Sequence, residues 1–145
     1  MELLLGEIIR SNVPRVGSRP AVTLRDRTLT YAQVADGAEH IAAVLAKRGI
    51  TRGQRVVWWG DTSVDAVPLF FGLALLGAVF VPINPSFSPT EARAVMDRAD
   101  PALVLADDAH QGEVTLTEII GTRRPSVIEA IPRRSRHSLS PGRLI

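Results

Sequence analysis

Three short apolar segments separated by helical segments limit the fold of this chain more than any other feature. They are residues 55–59, 79–83 and 102–106, all rich in Val, Leu or aromatic residues. Between them, the residues from 61 or 62 to 76 are nearly all apolar, and residues 89–99 have apolar side chains at helical spacing. Strands that alternate with helices predict βαβ units and a parallel sheet covered on both faces. The sequence therefore predicts an α/β fold with a partial doubly wound sheet.

The first thirty residues predict a short amphipathic helix followed by a β-hairpin. Residues 3–12 form the predicted helix, and Pro14 is expected to end it. Its apolar side is expected to comprise Leu4, Leu5, Ile8 and Ile9. Residues 21–24 and 28–30 are β-prone runs separated by a polar turn, which is the pattern of a small hairpin.

Two capping boxes mark the starts of two further helices. Thr30 is followed by Gln33, and Ser88 is followed by Glu91, so each pair can satisfy orphan backbone N–H groups at a helix N-terminus. Gly49 is the expected stop of the helix that begins after Thr30. The buried stripe of that helix is predicted to comprise Tyr31, Val34, Ala38, Ile41 and Leu45.

An uncharged run of 18 residues, 66–83, approaches the length that crosses a bilayer. Pro68, Gly72 and Gly77 interrupt the run, its second half is β-prone, and no basic cluster flanks it. A buried helix followed by a buried strand is therefore favoured over a transmembrane span. Because the N-terminus also lacks the basic segment of a secretory signal, we expect a cytoplasmic protein.

Several function classes are excluded by residues that the sequence lacks. It has no cysteine, which excludes a disulfide scaffold, a thiolate zinc site and a cysteine nucleophile. Its single lysine, Lys47, follows Ala46, so a Gly-Lys-Ser/Thr phosphate loop is absent. No two glycines have the Gly-x-Gly spacing of a dinucleotide site, and no serine has the glycines of a nucleophile elbow. His40, His110 and His137 are too widely spaced to form a metal site on one helix, so we predict no metal-binding residue.

Two pairs of adjacent side chains remain to be weighed as functional candidates. Asp107 and Asp108 follow the third predicted strand, at the edge where doubly wound folds bind ligands. Without a phosphate loop, a solvated turn is favoured over a magnesium-binding role. Trp58 and Trp59 must point to opposite faces of the sheet, and burial of both is favoured over a stacking platform for a base or acyl group. His40 is expected to be solvated.

Charge is distributed unevenly along the chain. Residues 1–121 have a net charge of −3, whereas residues 122–145 contain six Arg and one Glu and have a net charge of +5. This Arg/Pro/Ser-rich tail has no aromatic side chain to stack on bases, so no nucleic-acid partner is expected. We therefore expect a folded portion over residues 1–121 and a poorly ordered basic tail over 122–145.

A set of short motifs runs in order through the middle of the chain. The motifs are Arg19-Pro20-Ala21, Leu29-Thr30-Tyr31, Gly49-Ile50, Gly53-Gln54-Arg55-Val56, Leu73-Ala74, Gly77-Ala78-Val79-Phe80-Val81-Pro82-Ile83-Asn84-Pro85 and Glu91. Together they resemble the start of an AMP-forming acyl-CoA synthetase, of the adenylate-forming superfamily. The resemblance covers residues 19–106 and implies the fold of the N-terminal subdomain of AMP-forming ligases.

The resemblance implies a ligase that uses ATP and Mg²⁺ to adenylate a carboxylic acid, such as a fatty acid, and transfers the acyl group to coenzyme A. Enzymes of this family hold phosphate with a Ser/Thr/Gly-rich loop that ends in Pro-Lys-Gly, and they use a catalytic lysine in a small C-terminal domain. Neither occurs in these 145 residues. No catalytic or cofactor-binding residue can therefore be transferred to this chain, which is expected to bind no cofactor itself.

We accordingly expect an N-terminal fragment that is not catalytically competent alone. Residues 123–145 would then be a non-homologous terminus, produced by a frameshift or a premature end of the reading frame. The alternative is a non-catalytic interaction module of the same fold, which self-associates or binds a partner through an exposed sheet edge.

Overall fold

The computed structural model describes residues 4–110 and 112–121. The helices are α1 (Leu5–Val16), α2 (Tyr31–Lys47), α3 (Ala66–Leu76), α4 (Pro89–Ala99) and α5 (Leu116–Ile120). The strands are β1 (Pro20–Leu24), β2 (Arg27–Thr30), β3 (Arg55–Trp59), β4 (Val79–Ile83), β5 (Leu103–Ala106) and β6 (Val114–Thr115). The predicted basic tail lies outside the described residues, so the division at residue 121 stays a prediction.

A parallel sheet of four strands, in the order β4-β3-β5-β6, forms the centre of the described structure. Alternate side chains of β3 enter two different cores: Val56 and Trp58 pack with α2, α3 and α5, whereas Val57 and Trp59 pack with α4. Helices therefore cover both faces of the sheet. The predicted α/β fold with βαβ units is confirmed.

The hairpin β1–β2 forms a separate antiparallel sheet, as predicted. It contributes Leu29 to a third core, which also contains Ile9 of α1 and Val34 of α2. Thr30 ends the hairpin and begins α2: its Oγ1 accepts from the N–H of Gln33 at 3.2 Å, and its own N–H donates to Gln33 Oε1 at 2.9 Å. The predicted capping box is therefore present and joins the hairpin directly to the helix.

The close approach of α2 and α3 depends on Gly72. A Cβ atom on Gly72 would lie 2.9 Å from the carbonyl oxygen of Ala38 and 3.1 Å from Cγ2 of Ile41. Five residues later, Gly77 adopts a left-handed conformation with φ of 67°, which ends α3 and leads directly into β4. The uncharged run therefore contains a helix and then a strand. Within residues 4–110 and 112–121, no helix is long and apolar enough to span a membrane.

The prediction that Pro14 ends the first helix is wrong, because α1 continues to Val16. Pro14 has no N–H to donate to the carbonyl of Arg10, but the helix continues for two more residues, and the N–H of Gly17 closes the last turn on the carbonyl of Val13 at 2.8 Å. The predicted apolar side of this helix is also only partly buried. Ile9 is buried, but the exposed side chains of α1 and the residue before it include Leu4, Leu5 and Ile8.

The predicted start of α3 at residue 61 or 62 is also wrong, because the helix begins at Ala66. Residues 61–65 form an irregular segment in which the N–H of Asp65 donates to Ser63 Oγ at 3.1 Å. The carboxylate of Asp65 accepts two hydrogen bonds from the Arg27 guanidinium, at 2.7 and 2.9 Å. These tertiary contacts with the hairpin hold the segment outside the helix.

Residues 114–120 suggest a short helix that begins at Thr115 or Thr117, and the structure has this helix as α5, with Thr115 as its N-cap and a third capping box. Val114 and Thr115 lie outside the helix and form β6, which pairs with β5. Such a short strand is formed by its pairing with β5, which local sequence preference does not reveal.

Candidate functional site

The carboxyl ends of β3, β4 and β5 meet at one edge of the sheet, where ligands bind in doubly wound folds. His110 lies at this edge, in the loop between β5 and β6, with 13% of its side chain exposed. Its ring contacts residues from the ends of all three strands. We call His110, Asp107, Asp61, Pro85 and Trp59 the edge cluster.

Asp107 connects β5 to β3 within the edge cluster. Its Oδ2 accepts a hydrogen bond from the backbone N–H of Asp61 at 2.7 Å, and its Oδ1 accepts from the N–H of Ala109 at 3.1 Å and lies 2.5 Å from Nδ1 of His110. Burial acts to raise the pKa of Asp107, but the bonds from Asp61, His110 and Ala109 outweigh it, so this pKa lies below its ordinary value. Asp107 is therefore a carboxylate near neutral pH.

His110 connects β5 to the loop that follows β4. Its Nε2 lies 3.1 Å from the carbonyl oxygen of Pro85. The hydrogen bond to Asp107 raises the pKa of His110 above its ordinary value; burial opposes this shift, whereas the Pro85 carbonyl and the charges of Asp107 and Asp61 add to it. The environment therefore favours the imidazolium.

Trp59 forms the floor of the edge cluster. Its ring centroid lies 4.8 Å from that of His110, and the two rings are tilted by 52°. The indole Nε1 is buried without a hydrogen-bond partner among the described residues. An unsatisfied buried donor of this kind costs about 1–3 kcal/mol. Trp59 thus packs the α4 core and also supports the histidine.

The structure separates the side chains that the sequence singled out. Asp107 is the centre of a hydrogen-bond network, whereas Asp108 is an exposed turn residue. Trp58 and Trp59 are each 5% exposed on opposite faces, which confirms their predicted burial. His40 is exposed, as predicted.

The pairing of His110 with Asp107 is not evident from the sequence pattern that places Asp107 at this edge. The available signal was a histidine three residues after an aspartate in a turn that follows a buried strand. His137 lies outside the described residues.

The charged side chains at this edge are mostly acidic. Asp61, Asp107 and Asp108 place three carboxylates here against one histidine. Among the described residues there is no group of three His, Cys, Asp or Glu side chains arranged to hold a metal ion. Arg27 and Asp65 form a partly buried ion pair elsewhere, which joins the hairpin to the residue before α3.

The parallel sheet, its covering helices and the preceding hairpin define the N-terminal subdomain of adenylate-forming enzymes. The N-terminal subdomain of NpsA from Klebsiella oxytoca, solved in complex with 3-hydroxyanthranilyl-AMSN, has this fold: the TM-score is 0.74 at 24% identity, over 81% of this chain and 32% of that chain. A family model described as AMP-binding enzyme matches residues 9–139. This chain belongs to the AMP-binding enzyme family. The matched stretch extends into the arginine-rich segment that begins at residue 122.

Curated relatives of this chain include enzymes of two kinds. An isonitrile lipopeptide synthase of Streptomyces coeruleorubidus is 32% identical over 106 residues, which is 73% of this chain and 7% of the synthase. The putative acyl-CoA synthetase YngI of Bacillus subtilis is 26% identical over 130 residues, which is 88% of this chain and 24% of that protein. The chain therefore spans less than a quarter of the length of either relative.

Proposed function

We propose that this chain supplies the N-terminal scaffold of an enzyme that activates a carboxylic acid with ATP and Mg²⁺ as an acyl-adenylate, and that it does not form the adenylate by itself. The family match over residues 9–139 is the observation that carries the proposal. The inability to act alone is inferred from the sequence, which has no Pro-Lys-Gly loop and has its single lysine at the end of α2.

The charge of the sheet edge supports the second part of this proposal. Catalysis on a triphosphate requires preorganised hydrogen-bond donors and positive charge around the phosphates. The edge cluster instead offers carboxylates, and its one cation, His110, is already engaged by Asp107. A nucleotide at this edge would thus be repelled unless other residues supplied the positive charge.

The acceptor of the acyl group is proposed to be coenzyme A, and the substrate a fatty acid or another carboxylic acid. The sequence motifs between residues 19 and 106 and the putative acyl-CoA synthetase relative support this choice. The lipopeptide synthase relative supports a role in peptide synthesis instead. Both versions share the activation of a carboxylate by ATP.

Exchange of labelled pyrophosphate into ATP tests the proposal. The 145-residue chain, incubated with Mg²⁺, ATP and a panel of fatty, aryl and amino acids, is expected to give no exchange above the enzyme-free blank. Full-length YngI is the positive control once it is shown to exchange pyrophosphate with one of these acids, and its own segment that aligns with this chain is the matched negative control. Exchange by the 145-residue chain would refute the inability to act alone.

The scaffold role needs a test of its own. A chimaera of YngI in which residues 9–121 of this chain replace the aligned segment is expected to retain measurable exchange. A chimaera that folds, as judged by circular dichroism and a cooperative melt, but gives no exchange with any acid would count against the scaffold role.

The exposed edge of the sheet supports one alternative, a non-catalytic interaction module. Among the described residues β4 pairs with β3 alone, and Val79 at its start is 44% exposed. An edge strand can pair with another chain. This alternative predicts a defined dimer in light scattering after size-exclusion chromatography, and Val79→Lys should then convert it to a monomer. A wild-type monomer would refute self-association through this edge.

A further inference from the structure

Both ring nitrogens of His110 meet hydrogen-bond acceptors. Nδ1 lies 2.5 Å from a carboxylate oxygen of Asp107, and Nε2 lies 3.1 Å from the carbonyl oxygen of Pro85. A neutral imidazole has a single N–H and can donate only one of these bonds, whereas the imidazolium donates both. Only the protonated ring can make both contacts as hydrogen bonds.

We propose that His110 is a proton-dependent latch, which as a cation ties the loop after β4 to the carboxyl end of β5 and on losing its proton releases that loop. The latch depends on no property of the proposed enzyme and goes beyond its function. It concerns residues 84–88, which connect β4 to α4.

The groups that surround His110 favour the latched form. Among the described residues, the charged groups that act on it are the carboxylates of Asp107 and Asp61, both negative. The Trp59 ring centroid lies 4.8 Å from that of His110, within the distance at which an aromatic ring can attract a cation. Burial is the one opposing influence, and the pKa of His110 still lies above its ordinary value.

The two hydrogen bonds of the latch differ in how they respond to deprotonation. A bond to a carboxylate is stronger than a bond to a neutral carbonyl, so the remaining proton stays on Nδ1 and faces Asp107. Nε2 then presents a lone pair to the Pro85 carbonyl, and two acceptors cannot bond. The loop after β4 then loses its hydrogen bond to His110, while Asp107 keeps its bond from the N–H of Asp61.

The sign of the pH effect follows from the raised pKa of His110. Stability from the latch is fully present below the pKa of the unfolded histidine and is lost as the pH rises through the pKa of the folded state. Each unit by which the folded pKa exceeds the unfolded pKa corresponds to a tenfold change in the folding equilibrium constant across that window.

Nuclear magnetic resonance of the ¹⁵N-labelled 145-residue chain tests the latch. Long-range ¹⁵N–¹H spectra at pH 6 should show His110 with both ring nitrogens protonated, and its pKa should exceed the ordinary histidine value. Because the chain has three histidines, the variants His40→Gln and His137→Gln together assign the His110 signals and are the matched controls. A single-proton tautomer of His110 at pH 6, or a His110 pKa no higher than the ordinary histidine value, would overturn the proposal.

Amide hydrogen exchange measures the release itself. Above the pKa of His110, the N–H groups of Ser86 and Phe87 should exchange faster than base catalysis alone requires, whereas the N–H of Asp61 should not. In His110→Gln this extra pH dependence should be absent. If that variant fails to fold, the pH titration of amide exchange in the wild type still decides the question. Equal acceleration of exchange at Asp61 and Phe87, or no acceleration at Phe87, would refute a selective release of the loop after β4.

Discussion

Adding a methyl group at Gly72 tests the packing of α2 against α3. In an exposed helix, replacing Gly with Ala stabilises by about 1 kcal/mol, because Ala has the higher helix propensity. Here the new Cβ would lie 2.9 Å from the Ala38 carbonyl oxygen, and it would press on backbone that cannot rotate away. Overpacking of this kind costs about 1–3 kcal/mol.

The two effects have opposite signs, and the steric cost is the larger. We expect Gly72→Ala to lower the free energy of unfolding by about 1 kcal/mol, and Gly72→Val to lower it by about 3 kcal/mol because its two further methyl groups enter the same contact. Since both helices pack on one face of the sheet, the loss should affect global unfolding.

Urea unfolding followed by tryptophan fluorescence measures this change, and an unaltered m-value would show that stability alone has changed. Ala43→Gly, on the exposed side of α2, is the matched control and should lose about 1 kcal/mol through propensity alone. If Gly72→Ala instead raises the urea midpoint, the helices do not approach as closely as described, and the reasoning fails.

Three further substitutions test other parts of the fold. Thr30→Ala removes the capping box and should cost about 1 kcal/mol in urea unfolding, whereas Thr30→Ser should recover most of that loss. Leu69→Ala empties a fully buried position and should cost about 2–5 kcal/mol, while Ile8→Ala on the exposed side of α1 should change the midpoint little. Because the pKa of Asp107 is lowered in the folded protein, the ionised Asp107 stabilises the fold above the ordinary aspartate pKa. This stabilisation is lost as the pH falls through the pKa of Asp107 in the folded state. The free energy of unfolding, measured over an acid titration, should show the loss in the wild type and not in Asp107→Asn.

The fold was predictable where local signals and tertiary structure agree. The strand from Arg55 to Trp59 is both β-prone and central, and Thr30 and Ser88 carry complete capping boxes. At these positions the sequence pattern and the final packing favour the same conformation.

Predictions failed where distant residues override local preference. In the segment 61–65, Asp65 bonds to Arg27, 38 positions away, and this contact is not evident from local spacing. Val114 and Thr115 become a strand only because β5 offers a free edge. Pro14 is tolerated because it lies in the last turn of α1, which a pattern alone does not locate.

The sequence indicated only part of the edge cluster. Asp107 could be placed at the carboxyl edge of the sheet because it directly follows a buried strand. Its bonds to Asp61, 46 positions away, and the contact of His110 with Pro85, 25 positions away, depend on strand order. Strand order is set by tertiary pairing, so the histidine could not be joined to its acceptors from spacing alone.

Direct binding of an acyl-adenylate analogue tests most simply whether this chain contains the scaffold of the family without its nucleotide-binding groups. The N-terminal subdomain of NpsA, solved with 3-hydroxyanthranilyl-AMSN, supplies both the probe and the positive control. In isothermal titration calorimetry we expect saturable binding to the NpsA subdomain and none to the 145-residue chain. The opposite result would be one-to-one binding of the analogue by this chain, lost when residues of the edge cluster are substituted. That result would contradict the absence of nucleotide-binding groups from this chain.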